Sequence, residues 1–233
     1  MKTVIVTGGT SGIGKAIAEG FAASNDAKVI VTGHEQPAEI SRPQSVDIHL
    51  LDVRDAEAVA SFFSAFEKID VLVNCAGIIR RNGAEFSHQQ FADVIDVNLN
   101  GTQRCCEAAF DALRRAGGCI INTASMLTYF GSATSPAYAA SKGGIGQLTR
   151  SLALAWAEDG IRVNALAPGW ITTSLTAPLE QDAERSAAIL SRTPMKRWGR
   201  PEDLIGPALF LASPAAGFVT GAILPVDGGY SAA

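Results

Sequence analysis

Val4-Ile5-Val6-Thr7-Gly8-Gly9-Thr10-Ser11-Gly12-Ile13-Gly14-Lys15-Ala16-Ile17-Ala18-Glu19 runs from a β-branched strand pattern, through a glycine-rich turn, straight into a helical pattern. Glycines let a backbone turn sharply and let phosphate oxygens approach its amides. A helix starting at once behind them offers free N–H groups and the positive end of its dipole. Gly8, Gly12 and Gly14 are spaced G-x-x-x-G-x-G rather than G-x-G-x-x-G, with Thr10, Ser11 and Ile13 between them. Such a turn gains its weight from context, and here the context is strand before and helix after.

Outward from this stretch the same alternation continues. Short apolar runs follow at Lys28 to Thr32, Asp47 to Leu51, Val71 to Val73, Cys119 to Asn122, Arg162 to Leu166 and Ala222 to Val226. Most are continuous rather than alternating, as strands covered on both faces of a parallel sheet read. Between them, Ile13 to Ala23, Ala56 to Phe66, Phe91 to Arg115, Pro136 to Glu158 and Pro201 to Ala212 carry apolar residues at three- and four-residue spacing. The expectation is one α/β domain over residues 1–233, a doubly wound parallel sheet of about seven strands flanked by helices.

Composition narrows the function classes. Of 233 residues, 47% are apolar and 18% charged, with a net charge of −4 and no basic run, which argues against a nucleic-acid partner. Apolar stretches are interrupted well before the ~18 residues a membrane span needs. The start Met1-Lys2-Thr3-Val4 has no secretory pattern, so a cytoplasmic protein is expected. Cys75, Cys105, Cys106 and Cys119 lack zinc spacing, and His34, His49 and His88 are scattered; no metal is expected.

Ser135-Pro136-Ala137-Tyr138-Ala139-Ala140-Ser141-Lys142 reads as a helix start with Ser135 as N-cap and Pro136 at the first helical position. Tyr138 and Lys142 then share a helix face. An ammonium close to a phenol favours the phenolate, which makes Tyr138 a usable proton donor or acceptor. Ser125 follows the strand Ile120 to Ala124 and lies at the carboxyl edge of the sheet, where ligands of open α/β sheets bind. Asn74-Cys75-Ala76-Gly77 closes another strand at the same edge. Asn98 lies inside the helical stretch Phe91 to Arg115, where a polar residue near Gly101 can disturb regular hydrogen bonding.

Taken together these segments resemble the classical short-chain dehydrogenase/reductase family, a Rossmann-like fold, across nearly the whole chain. Thr7 to Gly14 matches its cofactor turn. Asn74 to Gly77 is similar to its NNAG segment, with Cys75 in place of the second Asn. Asn98, Ser125, Tyr138 and Lys142 fall at family-like spacings of 27, 13 and 4. Pro168-Gly169, with Ile171 and Thr173, resembles the segment that closes over a nicotinamide. The resemblance implies a hydride-transferring oxidoreductase acting on a secondary alcohol or ketone, and a homotetramer. It implies that Ser125 binds the substrate oxygen, Tyr138 exchanges the proton, Lys142 tunes the phenol and holds the ribose, and Asn98 positions a water. Asn74, Ala76 and Gly77 would contact the cofactor, and Asp52 and Val53 would meet the adenine.

NAD and NADP are separated by the residues just after the second strand, here Val31-Thr32-Gly33-His34-Glu35-Gln36. Gly33 stands where NAD-preferring relatives carry Asp. Glu35 would repel a 2′-phosphate, so NAD is favoured over NADP, whereas a protonated His34 would welcome that phosphate. Residues 174–200 are expected to form a substrate lid. Ile78-Ile79-Arg80-Arg81, Ser125-Met126-Leu127, Glu184 to Ala187 and Arg197-Trp198-Gly199 resemble sugar-acid dehydrogenases of the family, with 2-dehydro-3-deoxy-gluconate and gluconate dehydrogenases as the close comparison. Arg80 or Arg81 would then bind a carboxylate, with solvated surface charge as the alternative. Two other functions stay open: a reductase of carrier-linked 3-oxoacyl groups, and a dinucleotide-binding sensor without turnover.

Overall fold

A computed structural model describes residues 1–24, 26–35 and 46–233. Its centre is a sheet of seven parallel strands: β1 (Lys2–Thr7), β2 (Ala27–Gly33), β3 (Val46–Leu50), β4 (Val71–Asn74), β5 (Cys119–Thr123), β6 (Arg162–Pro168) and β7 (Ile223–Val226). Their order is β3-β2-β1-β4-β5-β6-β7, so the winding reverses between β1 and β4. All seven strands expected from the sequence form, each within a residue or two of its apolar run.

Alternate residues of one strand feed two cores, because successive side chains point to opposite faces. Val4, Val6, Val29, Val31, Val71 and Val73 pack with Ile17 and Phe21 of α1 (Gly12–Ala22) and with Ala208 and Leu211 of the short helix Ile205–Ala212. Ile5, Ile30, Leu72, Ile120 and Val163 pack on the other face against Val59 and Phe63 of α2 (Ala56–Ser64), and against the Cys105, Ala109 and Leu113 side of a later helix, Gly101–Ala116. Burial on both faces is why these strands read as unbroken apolar runs.

The helical stretch expected over Phe91 to Arg115 is three elements. Helix α3 (His88–Ile95) starts earlier, where the Ser87 Oγ accepts from the Gln90 amide at 3.3 Å. A π-turn (Asp96–Asn100) follows, and then α4 (Gly101–Ala116). The wide turn points Asn98 inward, so the irregularity expected around Asn98 and Gly101 is a real change of helical pitch. Helix α5 (Pro136–Ala155) carries Pro136 at its first position. It stops short of Glu158, where Trp156 turns onto Phe110 with ring centroids 4.9 Å apart. Beyond β6 come α6 (Ala177–Glu180), α7 (Ala183–Arg192) and α8 (Ile205–Ala212). Among the described residues no helix is long and apolar enough to cross a membrane.

Candidate active site

The reversal of winding opens a crevice at the carboxyl ends of β1 and β4. Here the turn after β1 rests on the turn after β4. Gly8 has φ +65°, and a Cβ at Gly8 would sit 2.6 Å from the Ala76 amide nitrogen. Only glycine admits both that φ and that approach. Helix α1 begins with Ser11 in an extended conformation, no side-chain cap and no acidic residue in its first turn. Its leading amides are therefore left to an incoming group, and the dipole end favours an anion. A glycine floor beneath an uncapped helix start fits the pyrophosphate of a dinucleotide.

At the adenosine side, β2 ends on Gly33, whose missing Cβ makes room for Thr10; a Cβ there would lie 2.5 Å from the Thr10 Oγ1. Glu35 is exposed and its Oε1 lies 3.4 Å from His34 Nε2. Gln36 lies outside the described residues. The Asp52 carboxylate is gripped by Arg54, whose Nη2 and Nε reach it at 2.7 and 3.0 Å, and that contact holds its pKa below the usual range. Val53, expected to meet adenine, is only 5% exposed and packs its side chain into the core under α4.

Asn74 is also turned inward. Its Nδ2 donates to Asn122 Oδ1 at 3.0 Å, and Asn122 Nδ2 donates to Thr149 Oγ1 at 3.0 Å. This buried chain braces β4, β5 and α5 and keeps the Asn74 side chain out of the crevice. Cys75, the departure from NNAG, accepts a hydrogen bond from Thr123 Oγ1 at 3.1 Å, and burial pushes its thiol pKa up.

The four expected catalytic residues converge. Asn98, 1% exposed, accepts from the Ile78 amide at 2.8 Å and donates to the Ile78 carbonyl and to Ser141 Oγ, both at 3.0 Å. It clamps the segment after β4 to α5, with Gly77 between it and Lys142. Lys142 is 4% exposed, and its Nζ donates to the Thr123 carbonyl at 2.6 Å. Burial lowers its pKa to about 8. Burial pushes the Tyr138 phenol up to about 12, while the Ser125 hydroxyl and the Arg81 guanidinium pull it back and Glu85 opposes them. Lys142 Nζ stands 5.5 Å from the centre of the Tyr138 ring. Arg81 thus adds a cation from outside the helix to the side of the phenolate, beside the lysine four residues along.

Ser125, Tyr138, Ile13, Pro168, Gly169, Ile171 and Thr173 all border one cavity of about 310 Å³. Arg81 borders it too, half-buried, with its Nη2 donating to the Leu175 carbonyl at 2.6 Å. Arg80 faces away and is held by Asp93, Nη2 to Oδ2 at 2.7 Å. Residues 174–200 cover the cavity's far side, where Leu175, Leu179 and Arg185 line it. Trp198 Nε1 donates to Ser186 Oγ at 2.9 Å, and the Arg192 guanidinium lies between the rings of Tyr230 and Phe130, 4.3 and 5.2 Å from their centres. Tyr230 is thus an internal anchor for this segment.

Two site residues carry no signal that the sequence alone makes readable. Trp170 lines the cavity but belongs to no local motif, whereas Arg185, which also lines it, lies in the Glu184 to Ala187 stretch that carries part of the resemblance. Glu85, within a short turn after Gly83, is fully buried beside the catalytic helix. Its only mark in the sequence is a carboxylate beside a turn glycine, which ordinarily reads as a solvated loop charge.

Known proteins share this arrangement. A family model described as Enoyl-(Acyl carrier protein) reductase matches residues 8–231. The 2-dehydro-3-deoxy-D-gluconate 5-dehydrogenase of Pseudoalteromonas atlantica is 45% identical, over 98% of this chain and 95% of its own length. The galactitol 2-dehydrogenase (L-tagatose-forming) of Cereibacter sphaeroides is 41% identical, over 97% and 93%. The crystal structure of a putative NAD(P)-dependent gluconate 5-dehydrogenase from Beutenbergia cavernae, with NADP bound, superposes with a TM-score of 0.93 at 42% identity, over 100% of this chain and 97% of that one. That neighbour carries NADP, so the expectation of NAD over NADP gains no support from it. With the glycine turn, the convergent Asn98, Ser125, Tyr138 and Lys142, and full-length similarity of this degree, the chain belongs to the short-chain dehydrogenase/reductase family.

Proposed function

We propose that this protein is a sugar-acid dehydrogenase, interconverting a secondary alcohol of an aldonate or 3-deoxy-aldonate and the matching ketone. It is a nicotinamide-dependent oxidoreductase acting on CH–OH. The observation that carries the finer reading is Arg81: a half-buried guanidinium with no carboxylate within ion-pair distance among the described residues, in the cavity that also holds Ser125 and Tyr138. A buried cation calls for an anionic partner, and a guanidinium binds a carboxylate in two-point fashion. The name of the 2-dehydro-3-deoxy-D-gluconate 5-dehydrogenase relative supports the same class, while that of the galactitol 2-dehydrogenase sets neutral polyols as the competing substrates.

Bound in the crevice, the nicotinamide supplies or takes the hydride. Ser125 hydrogen-bonds the substrate oxygen, and Tyr138 gives or takes its proton. Lys142, anchored on Thr123, holds its ammonium at the floor of the same site, and Asn98 fixes the backbone after β4. Residues 174–200 act as the lid that excludes water. NAD over NADP remains the finer cofactor choice and rests on Glu35. A homotetramer is the finer statement on assembly. Supporting it, Leu154 and Phe218 are large apolar side chains 83% and 106% exposed, which an interface would cover. Light scattering at micromolar concentration tests it, and a monomer rejects it.

An assay panel of aldonates, uronates, neutral polyols and acyl thioesters, read as cofactor absorbance, tests the function. Turnover of aldonates well above polyols supports it. Preference for thioesters replaces it with the carrier-linked reading, and binding of the dinucleotide with no turnover of any class replaces it with a sensor.

A further inference from the structure

Glu85 is 0% exposed, and both of its carboxylate oxygens accept from backbone amides. Oε1 takes the amide of Arg80 and Oε2 the amide of Tyr138, each at 2.9 Å. The second bond is unusual in its origin. Tyr138 is the third residue of α5, and its amide is one that an N-cap side chain normally satisfies. Ser135, at the cap position, makes no such bond. The cap comes instead from a residue 53 positions earlier. A carboxylate suits a helix N-terminus electrostatically, yet a serine would do the same at far smaller desolvation cost. What a serine cannot do is reach the Arg80 amide as well. Arg80 directly precedes Arg81, so one buried side chain joins the segment carrying the cavity arginine to the helix carrying the phenol.

We propose that Glu85 is a positioning residue of the proton-transfer site: by bridging the Arg80 and Tyr138 amides it locks Arg81 and Tyr138 into one rigid unit. This rests on the reading of Tyr138 as the proton-exchanging group. The same charge also acts on the phenol through space. Tyr138 is faced by Ser125 from the end of β5, by Arg81 and Glu85 from the segment after β4, and by Lys142 on its own helix. Arg81 and Ser125 favour the phenolate, and Glu85 disfavours it. Removing the Glu85 charge therefore lowers the phenol pKa. In the oxidation direction the phenolate is the active form, so the rising limb of the pH profile moves to lower pH.

The experiment compares the parent, Glu85→Gln, Glu85→Asp and Tyr138→Phe as full-length proteins, with the panel substrate the parent oxidises fastest. Glu85→Gln keeps the length but turns one acceptor into an amide that faces an N–H. Its kcat is expected to fall about ten- to a hundredfold, the loss that goes with one charge-assisted bond. Its pH limb is expected at lower pH, and its dinucleotide Kd within about twofold of the parent, because the glycine turn does not touch Glu85. A merely structural role would lower kcat or stability and leave the limb where it was. Parent-like kcat with an unmoved limb in folded Glu85→Gln overturns the proposal, as does loss of dinucleotide binding in step with kcat. Should Glu85→Gln fail to fold, Glu85→Asp decides: it keeps the charge and shortens the reach, so kcat falls while dinucleotide Kd and melting temperature hold, and parent-like kcat, or a kcat loss that follows a loss of stability or dinucleotide binding, overturns the idea. Tyr138→Phe separates the two levels. If it stays within about tenfold of the parent, the reading of Tyr138 has failed; if it is inactive while Glu85→Gln is normal, only the role of Glu85 has failed.

Discussion

Arg81 Nη2 donates to the carbonyl of Leu175 at 2.6 Å, across 94 positions of sequence. The bond ties the segment after β4 to the start of residues 174–200, the proposed lid. One of the guanidinium's donors is thereby committed, and the side chain borders the cavity that Tyr138 also lines. Arg185 enters the same cavity from α7, and its charge, after burial, is one of the influences that depress the Arg81 pKa. Arg185 Nε is itself paired with Asp182 Oδ2 at 3.3 Å, so Arg81 is the one of the two with no carboxylate partner among the described residues. A carboxylate on the substrate would find its counter-charge at Arg81.

Substrate class can be tested at this pair. Arg81→Gln is expected to raise KM for an aldonate by about ten- to a hundredfold, the value of one lost charge-assisted pair. For a neutral polyol the change should stay within a few-fold, apart from any effect on the phenol, which appears in kcat rather than KM. Steady-state kinetics on both substrates checks this. Equal losses for both would mean that Arg81 serves the lid alone and recognises no carboxylate.

Lys142 carries a prediction about stability. Its folded pKa is about 8, against an ordinary 10.5, because burial disfavours the ammonium. Between those values the unfolded chain binds more protons than the native one, so stability rises with pH through this window. Below it the folded protein bears the full cost of the buried charge, about 3 kcal/mol. Lys142→Met is therefore expected to be inactive yet more stable than the parent at pH 7. The net gain should be about 1–2 kcal/mol once the lost bond to the Thr123 carbonyl is counted. The advantage should shrink as pH rises from 8 toward 10.5, because only the parent gains there. The raised phenol pKa of Tyr138 acts above that range, removing stability as pH passes 10, and is common to both proteins. Denaturant melts across pH give the answer, and a variant less stable than the parent at pH 7 contradicts it.

Much of this is legible in the chain. Unbroken apolar runs mark the inner strands β1, β2, β4, β5 and β6, because burial on both faces leaves little polar alternation to misread, whereas the half-exposed edge strand β3 alternates as Val46-Asp47-Ile48-His49-Leu50. Tyr138 and Lys142 stand out because a four-residue spacing is a local property of a helix. Arg80 and Arg81 cannot be separated by sequence, since neighbours in an extended segment point to opposite sides and nothing local says which side is the cavity. Glu85 stays hidden for a related reason, and the place of Arg185 at the cavity is unreadable even though its stretch Glu184 to Ala187 stands out by resemblance. Each acts on a group far away in sequence, and only the packing of the segment after β4 against α5, or of α7 over the cavity, gives it a role. The π-turn at Asp96–Asn100 is legible only as an irregularity around Asn98, because pitch depends on what Asn98 reaches across to.

The lid has its own test in Arg192. Its guanidinium lies between Tyr230 and Phe130 and donates to the Tyr230 hydroxyl at 3.3 Å, pinning the end of α7 to two separate parts of the fold. A partly desolvated cation–π contact is worth about 0.5–2 kcal/mol. Arg192→Gln should loosen residues 174–200 by that amount, with cleavage there accelerating several-fold in limited proteolysis. KM should rise several-fold and dinucleotide affinity should hold. Unchanged proteolysis and KM would show that the lid is held by other contacts, such as Trp198 to Ser186.

The last prediction concerns cofactor choice. A carboxylate at the adenosine end accepts from the ribose hydroxyls and repels the nearly dianionic 2′-phosphate of NADP. At ~4–6 Å and an effective dielectric near ~20, one repelled charge costs a few kcal/mol before salt screening. Glu35 is the carboxylate just past β2, at the edge where Gly33 gives way to Thr10. It is exposed and stands 3.4 Å from His34. NAD is accordingly expected to be preferred over NADP. Glu35→Arg should narrow or invert the preference, because a guanidinium pairs with the phosphate. The solved neighbour with NADP bound sets the competing expectation. Measuring kcat/KM for both cofactors decides between them, and a parent at least about tenfold better with NADP, about 1.4 kcal/mol, would show that Glu35 does not face the ribose.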